Sequence, residues 1–397
     1  MRIMHISTRL ILGGSQENTV LSCEGQLARG HDVALVYGPI YGPEGSLLKR
    51  VREFRTEDGR EIEGIETPHL VRDLAPLTDL KCLRDLRRLI RHWKPDVVHT
   101  HSSKAGILGR LAAWRERVPC VIHTVHGPPF HTYERKWRNA VYIMAERVAA
   151  RRCHVIACVA DAMRTQFLEA GIGRAEQYVT VWSGMQTQPF LEPAWSRDEV
   201  RRELNLREDD FVLGTIARLA ELKGHDDLLD SLDELMKQHR QIKLLWVGDG
   251  WWRERLEARV TALGLEGQVI TTGLVPPEEI PKYLQAMDVL IHPSYREGLP
   301  RTVTQALLSG TPVIAHDVDG TSEVCIDRQT GRLVQPGDLR GLREAVQWMM
   351  EYPEQREALA QRGRDLCRER FAAQRMVEHL LTIYNDVLQQ HDSLVAS

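Results

Sequence analysis

No stretch of this 397-residue chain reaches the ~18 consecutive apolar residues of a membrane-spanning helix, so no transmembrane segment is expected. Paired cysteines are missing too. The seven cysteines (23, 82, 120, 153, 158, 325 and 367) are odd in number, scattered, and never form a Cys-x-x-Cys pair. That argues against a zinc site and against a disulfide framework, and it points to a reducing, cytoplasmic setting. The opening MRIMHIS has too short an apolar run for a signal peptide and reads as a first strand. Internal repeats and low-complexity tracts are absent.

What is present is the composition of a globular protein, 43% hydrophobic and 27% charged, at a length that suits two domains. The net charge of −3 is unevenly spread. Residues 1–190 hold 27 Lys and Arg against 20 Asp and Glu, and the block 81–152 alone holds 16 against 5. Such a block by itself fits an anionic partner, a membrane surface, phosphates or nucleic acid; a set of solvated helix faces would give the same count. Of these partners nucleic acid is not the one expected.

Strand-like and helix-like segments alternate throughout, which predicts parallel sheets with helices on both faces. Strands are expected at 2–7, 32–37, 96–100, 120–125, 154–159 and 178–182, then at 211–216, 242–247, 269–272, 288–292 and 311–315. Leucines at 80, 83, 86 and 89 mark a helix. Residues 51–67, polar and broken by glycine, read as a hairpin or loop. Ser183-Gly184 and two prolines, Pro189 and Pro193, mark a boundary, giving domains 1–184 and 185–372 and a terminal helical segment 373–397.

Candidate chemistry gathers at the expected strand ends. After 288–292 comes a polar turn, then Glu297-Gly298-Leu299-Pro300-Arg301, with Thr302 as a fair N-cap of a helix that ends near Gly310. A helix start puts backbone N–H groups and a positive dipole end beside Glu297, a place that suits phosphate or sugar oxygens. Gln305, eight residues on, lies about two turns further. After 211–216, the segment TIARLAELKG carries Arg218 and Lys223, two cations of the kind a leaving diphosphate needs. Gly13-Gly14 after the first strand fits a close phosphate approach, or an ordinary strand–helix turn. Gly248-x-Gly250 lacks the third glycine and the later acid of a dinucleotide site, so a dehydrogenase is excluded. His99, His101, His123 and His126 cluster at two strand ends, where open sheets place ligands. No Cys or acid with ligand spacing accompanies them, and no metal is expected.

At these residues the chain resembles retaining glycosyltransferases of the GT-B fold, family 4. Their motif of Glu, seven residues, Glu, Ala reads here Glu297, seven residues, Gln305, Ala306. The Arg and Lys of the family are Arg218 and Lys223, with Ala217 in place of a glycine. Val-Gly-Asp-Gly recurs at 247–250, and His126 stands before Gly127. The resemblance implies two doubly wound Rossmann-like domains facing a cleft: an acceptor-side domain 1–184, a nucleotide-sugar domain 185–372, and a terminal helix crossing back to the first. It implies sugar transfer from a nucleotide diphosphate sugar, with a UDP-sugar as the expected donor, to a hydroxyl acceptor in surface polysaccharide or lipid-linked glycan synthesis, at the inner face of the cytoplasmic membrane. Glu297 and His126 would act on the sugar. Gly13, Gly14, Arg218, Lys223, Gln305 and the N–H groups of Leu299, Arg301 and Thr302 would hold the donor; Pro300 has no N–H. No cofactor is implied. Two other classes share these features: a nucleotide-sugar epimerase of the same fold and a non-catalytic sugar-nucleotide binder.

Overall fold

The computed structural model describes residues 1–40, 45–73 and 75–396. The chain divides into two compact units, Met1–Met185 with Ala373–Ser397, and Gln186–Ala372.

In the first unit the strands are β1 (Arg2–Ser7), β2 (Asp32–Tyr37), β3 (Glu63–Glu66), β4 (Val97–His101), β5 (Cys120–Val125), β6 (Val155–Cys158) and β7 (Tyr178–Thr180). Among the described residues they form one sheet in the order β3-β2-β1-β4-β5-β6-β7, with every pairing parallel. Every residue of β4 and β5 is buried, as expected of strands covered by helices on both faces. The chain's last helix, Ala373–Ala396, lays Met376, Val377, Leu380, Ile383, Tyr384 and Val387 against Ile3, Leu21, Val97 and Ile122. Its buried positions recur at intervals of three and four, a single helical face. Full burial of each such side chain contributes about 1.5–3 kcal/mol.

The second unit holds β8 (Phe211–Ile216), β9 (Ile242–Val247), β10 (Val269–Thr271), β11 (Val289–His292), β12 (Val313–His316) and β13 (Arg332–Val334). Their order is β10-β9-β8-β11-β12-β13, again all parallel. Its core packs Leu228, Leu232 and Met236 of helix His225–Gln238 and Leu342, Val346 and Met349 of helix Leu339–Glu351 onto the strands.

Residues 51–67 correct the reading from sequence. They hold the end of a helix, Leu48–Glu53, and the edge strand β3, parallel to β2. The strand reads Glu-Gly-Ile-Glu and none of its residues is buried, so it carries no apolar pattern to find. The helix after β11 is a second correction. It spans Arg301–Leu308 with Pro300 at the N-cap and no side-chain cap. Thr302 lies inside its first turn, and its hydroxyl has another use.

Candidate active site

In the second sheet the strand order reverses between β8 and β11. At such a switch point the loops leaving neighbouring carboxyl ends diverge, and open α/β sheets bind ligands there. Residues 217–224 leave β8 and residues 293–300 leave β11, so Lys223 and Glu297 arrive from two loops 74 residues apart in sequence.

Backbone geometry stitches those loops together. Gly224 has φ +71°, and a Cβ there would sit 1.9 Å from the Pro293 carbonyl oxygen. Leu222 also adopts a left-handed φ of +63°, which is uncommon for a residue with a bulky side chain. Its carbonyl thereby accepts from the Tyr295 N–H at 2.9 Å and from the Ser294 hydroxyl at 3.3 Å. Lys223, between these two positions, reaches Glu297 Oε1 at 2.6 Å and Ser294 Oγ at 3.3 Å. An ammonium has three donors; two are engaged among the described residues, which leaves one for a further oxygen.

Glu297 is held from three more directions. Its Oε1 accepts from His292 Nε2 at 3.1 Å, and its own N–H donates to Asp319 Oδ2 at 2.7 Å. The Gly320 N–H closes the same clamp on the Gly298 carbonyl at 3.1 Å. A carboxylate only accepts, so His292 donates from Nε2, and its Nδ1 lies 3.2 Å from the Thr302 hydroxyl. Only 16% of the Glu297 side chain is exposed. Burial alone would push its pKa up, but the Lys223 ammonium and the His292 N–H more than reverse this and hold the carboxyl well below the usual range. The site is therefore a fixed, ionised carboxylate beside the first turn of helix Arg301–Leu308, where N–H groups lack intrahelical acceptors.

The other expected donor residues are placed as follows. Arg218 is exposed, with its guanidinium 5.8 Å from the Trp251 ring centroid. Leu299 is buried and Arg301 half-buried. Gln305 is half-buried in the helix. The glycines of Val-Gly-Asp-Gly serve close packing: a Cβ on Gly248 or Gly250 would sit 2.2 Å from the carbonyl oxygens of Ala217 and Leu219 respectively. One acidic triplet, Asp317-Val318-Asp319, passes beside the site. Asp319 is engaged by the Glu297 N–H, and Asp317 accepts from Gln335 Nε2 at 3.2 Å. Sequence reasoning missed Asp319 and His292, because neither falls in a local motif with Glu297.

In the first unit Gly13 caps helix Gly14–Ala28, so the helix starts at the Gly-Gly pair and not after it. The switch point here lies between β1 and β4, and buried histidines line it. Gln26 Oε1 accepts from His5 Nε2 at 2.7 Å, while its amide donates to the Tyr384 hydroxyl at 3.2 Å. With its Nε2 protonated, neutral His5 accepts at Nδ1 from His101 Nε2 at 2.9 Å. His101 Nδ1 then accepts from His126 Nε2 at 3.1 Å. One amide thus sets the tautomers of three rings in turn, ending at His126. His99 completes the network through Tyr384 and through Thr124 Oγ1 at 2.7 Å. His123 faces the other way, toward Thr100 Oγ1 at 3.0 Å, as strand alternation requires. His154 accepts from the Val121 N–H and is structural. Nitrogens of His5, His99 and His101 lie close enough together for a metal ion. Each ring, however, already uses both nitrogens in hydrogen bonds.

Residues 13–183 match the glycosyl transferase 4-like domain family, and residues 196–366 match the glycosyl transferases group 1 family. The UDP-Gal:alpha-D-GlcNAc-diphosphoundecaprenol alpha-1,3-galactosyltransferase of Escherichia coli is 29% identical over 70% of this chain and 72% of its own. The capsular polysaccharide biosynthesis glycosyltransferase CapM of Staphylococcus aureus is 25% identical over 85% of this chain and 90% of its own. The crystal structure of HepE from Anabaena, in complex with UDP and glucose, superposes with a TM-score of 0.81 at 20% identity, covering 97% of this chain and 99% of that one; at that identity the likeness speaks to fold. Two parallel-sheet units, each matched by a glycosyl transferase family, place this chain among the glycosyltransferases of the GT-B fold.

Proposed function

We propose that the protein transfers a sugar from a UDP-sugar to a hydroxyl of a lipid-linked or polysaccharide acceptor, with retention of anomeric configuration. The carrying observation is the ionised Glu297, paired with Lys223 at the β8–β11 switch point. A glycosyl group leaving a diphosphate gains positive charge while the diphosphate gains negative charge. A fixed carboxylate suits the first, and Lys223 with Arg218 suits the second. Glu297 and His126 are assigned to the sugar. Arg218, Lys223 and the N–H groups of Leu299, Arg301 and Thr302 are assigned to the donor phosphates and sugar oxygens, Gln305 to the ribose, and Gly13-Gly14 to a phosphate approach. The unit Gln186–Ala372 is then the donor side and the other unit the acceptor side. No covalent glycosyl-enzyme is required. The E. coli relative, named for a diphosphoundecaprenol substrate, and the capsular relative support the acceptor class. The work is assigned to the inner face of the cytoplasmic membrane, which a lipid-linked acceptor would suit; among the described residues no helix is long and apolar enough to cross one.

The test is nucleotide release from UDP-, GDP- and ADP-sugars with an undecaprenyl-diphosphate-linked acceptor. Turnover is expected with a UDP-sugar and is expected to survive EDTA. Epimer formation without acceptor, or binding without turnover, would replace the reading. Loss of activity on chelation, restored by Mn²⁺, would overturn the assignment of the diphosphate to cationic side chains.

Gln305 carries a smaller prediction. A charged hydrogen bond to a ribose hydroxyl contributes about 1.5–3 kcal/mol and a neutral one about 0.5–1.5 kcal/mol. Gln305→Glu is expected to tighten UDP by about 1 kcal/mol, roughly fivefold, with kcat unchanged because ribose contacts are uniform between ground and transition states. Calorimetric titration of UDP decides it; weaker binding would remove Gln305 from the ribose.

A further inference from the structure

Helix Lys136–Ala150 buries Ala149 and Ala150, together with Glu146, which pairs with the equally buried Arg110 at 2.6 Å. That anchors one side of the helix and fixes which side faces out. The outward side is not polar. Trp137, Val141, Met144 and Val148 are 57, 46, 59 and 39% exposed. Spaced by four, three and four residues, they fall within an arc of about 60° at 3.6 residues per turn. A contiguous exposed apolar stripe is rare on a soluble surface and marks an interaction face.

The charges around the stripe are of one sign. Residues 131–152 hold Arg135, Lys136, Arg138, Arg147, Arg151 and Arg152 against Glu134 and Glu146. Glu146 is buried with Arg110, and Glu134 lies 3.6 Å from Arg138. Within residues 131–152 the surface therefore presents an apolar centre with a cationic rim and no unpaired acid; Glu176 and Asp386, on other elements, line a cavity beside it with Arg147 and Arg151. Helices that lie in the plane of a bilayer have this composition, with Trp and aliphatic side chains on one face and Lys or Arg beside it. Anionic headgroups complement the rim. A second copy of the chain would set two cationic rims against each other.

We infer that the exposed face of helix Lys136–Ala150 docks on an anionic lipid surface, with Trp137, Val141, Met144 and Val148 inserted at the headgroup boundary and Arg138, Arg151 and Arg152 on the headgroups. This deepens the lipid-linked acceptor reading and rests on it only for what the enzyme does once docked. Binding to vesicles needs neither donor nor acceptor.

The test is co-sedimentation of the full chain with phosphatidylcholine vesicles, with and without about one third phosphatidylglycerol. Binding to the anionic vesicles is expected to be at least ~10-fold tighter. Trp137→Ser/Met144→Ser is expected to weaken it about 10-fold or more, and Arg138→Gln/Arg151→Gln/Arg152→Gln to abolish the lipid preference. Leu77→Ser/Leu80→Ser, at two exposed leucines on helix Pro76–Trp93, is expected to leave binding unchanged. Turnover of a short-chain, water-soluble acceptor by Trp137→Ser/Met144→Ser is expected to match wild type, which also shows that the variant is folded. Equal sedimentation of wild type with both vesicles would overturn the inference, as would wild-type binding by the Trp137/Met144 variant. A wild-type dimer that Trp137→Ser dissociates in the absence of lipid would assign the face to a second copy instead. Vesicle binding as expected, with no turnover of any acceptor, would leave this inference standing and sink the functional reading alone.

Discussion

Glu297→Gln is expected to lower kcat by about 10²–10³-fold, or about 3–4 kcal/mol, the scale of losing one preorganised electrostatic group at a developing charge. The substitution keeps the shape of the site. An amide oxygen can still accept from His292 Nε2 and Lys223 Nζ, and the backbone clamp from Glu297 N to Asp319 Oδ2 does not involve the side chain. What it removes is the charge. UDP affinity is expected to change by less than about threefold, or to rise, because Lys223 loses its anionic competitor. Lys223 is 30% exposed, so water partly replaces the lost pair, and the stability cost is expected to be about 1 kcal/mol, near the exposed-pair range.

The pH behaviour has a fixed sign. The Glu297 pKa is depressed in the folded chain, so its contribution is complete above the unfolded value of ~4.3 and lost only as pH falls below that. Wild-type kcat should therefore show no acid limb from this group above about pH 5. Steady-state kinetics with a UDP-sugar across pH checks turnover and the acid limb, calorimetry of UDP checks affinity, and urea unfolding checks stability. Normal turnover by Glu297→Gln would remove the carboxylate from the reaction.

The parts of this site that were legible in the sequence are those carried by short loops after strands. Lys223 and Glu297, which the structure pairs, follow runs of apolar residues, and a strand end followed by Gly or Pro turns is a local pattern. Fold class was legible for the same reason: strands buried on both faces read as apolar runs, such as Phe211–Ile216 and Ile242–Val247, which coincide with β8 and β9. Contacts made across the sheet were not legible. Asp319 lies 22 residues from the N–H it accepts from, and nothing in DVDG marks it. Thr302 looked like a cap because Thr is a good N-cap, but Pro300 starts the helix and the hydroxyl faces His292. His5 sits in a strand that reads as apolar. Its bond to Gln26 depends on a helix face, and its bond to His101 on two strands 96 residues apart pairing in parallel.

Lowering the pH from about 7 to 5 is expected to unfold the unit of Met1–Met185 with Ala373–Ser397 before the unit of Gln186–Ala372. The cause is the buried histidines. Burial lowers His5 to about 4 and holds His99 and His101 well below the ordinary value of 6.5; burial, and then the Arg110 guanidinium, does the same to His123. All four stay neutral in the folded chain while their unfolded counterparts take up protons near pH 6.5. A folded pKa below the unfolded one means the contribution is complete above 6.5 and is lost as pH falls toward the folded value. Each such group costs about 1.4 kcal/mol per pH unit in that window, so four in one unit cost roughly 5 kcal/mol per pH unit, against a typical domain stability of about 5–15 kcal/mol. The other unit has two comparable groups, His225 and His316, each lowered by burial to about 4, and so about half the slope. Urea unfolding of the full chain at a series of pH values, followed by limited proteolysis to tell the units apart, measures both slopes. His123→Asn serves as the control. Whatever its effect on stability at neutral pH, it is expected to reduce the slope of the first unit by about 1.4 kcal/mol per pH unit, because one titrating group is gone. If the urea midpoint of the first unit does not move between about pH 7.5 and 5.5, the histidines are not held neutral, and the chain of tautomers from Gln26 to His126 fails with them.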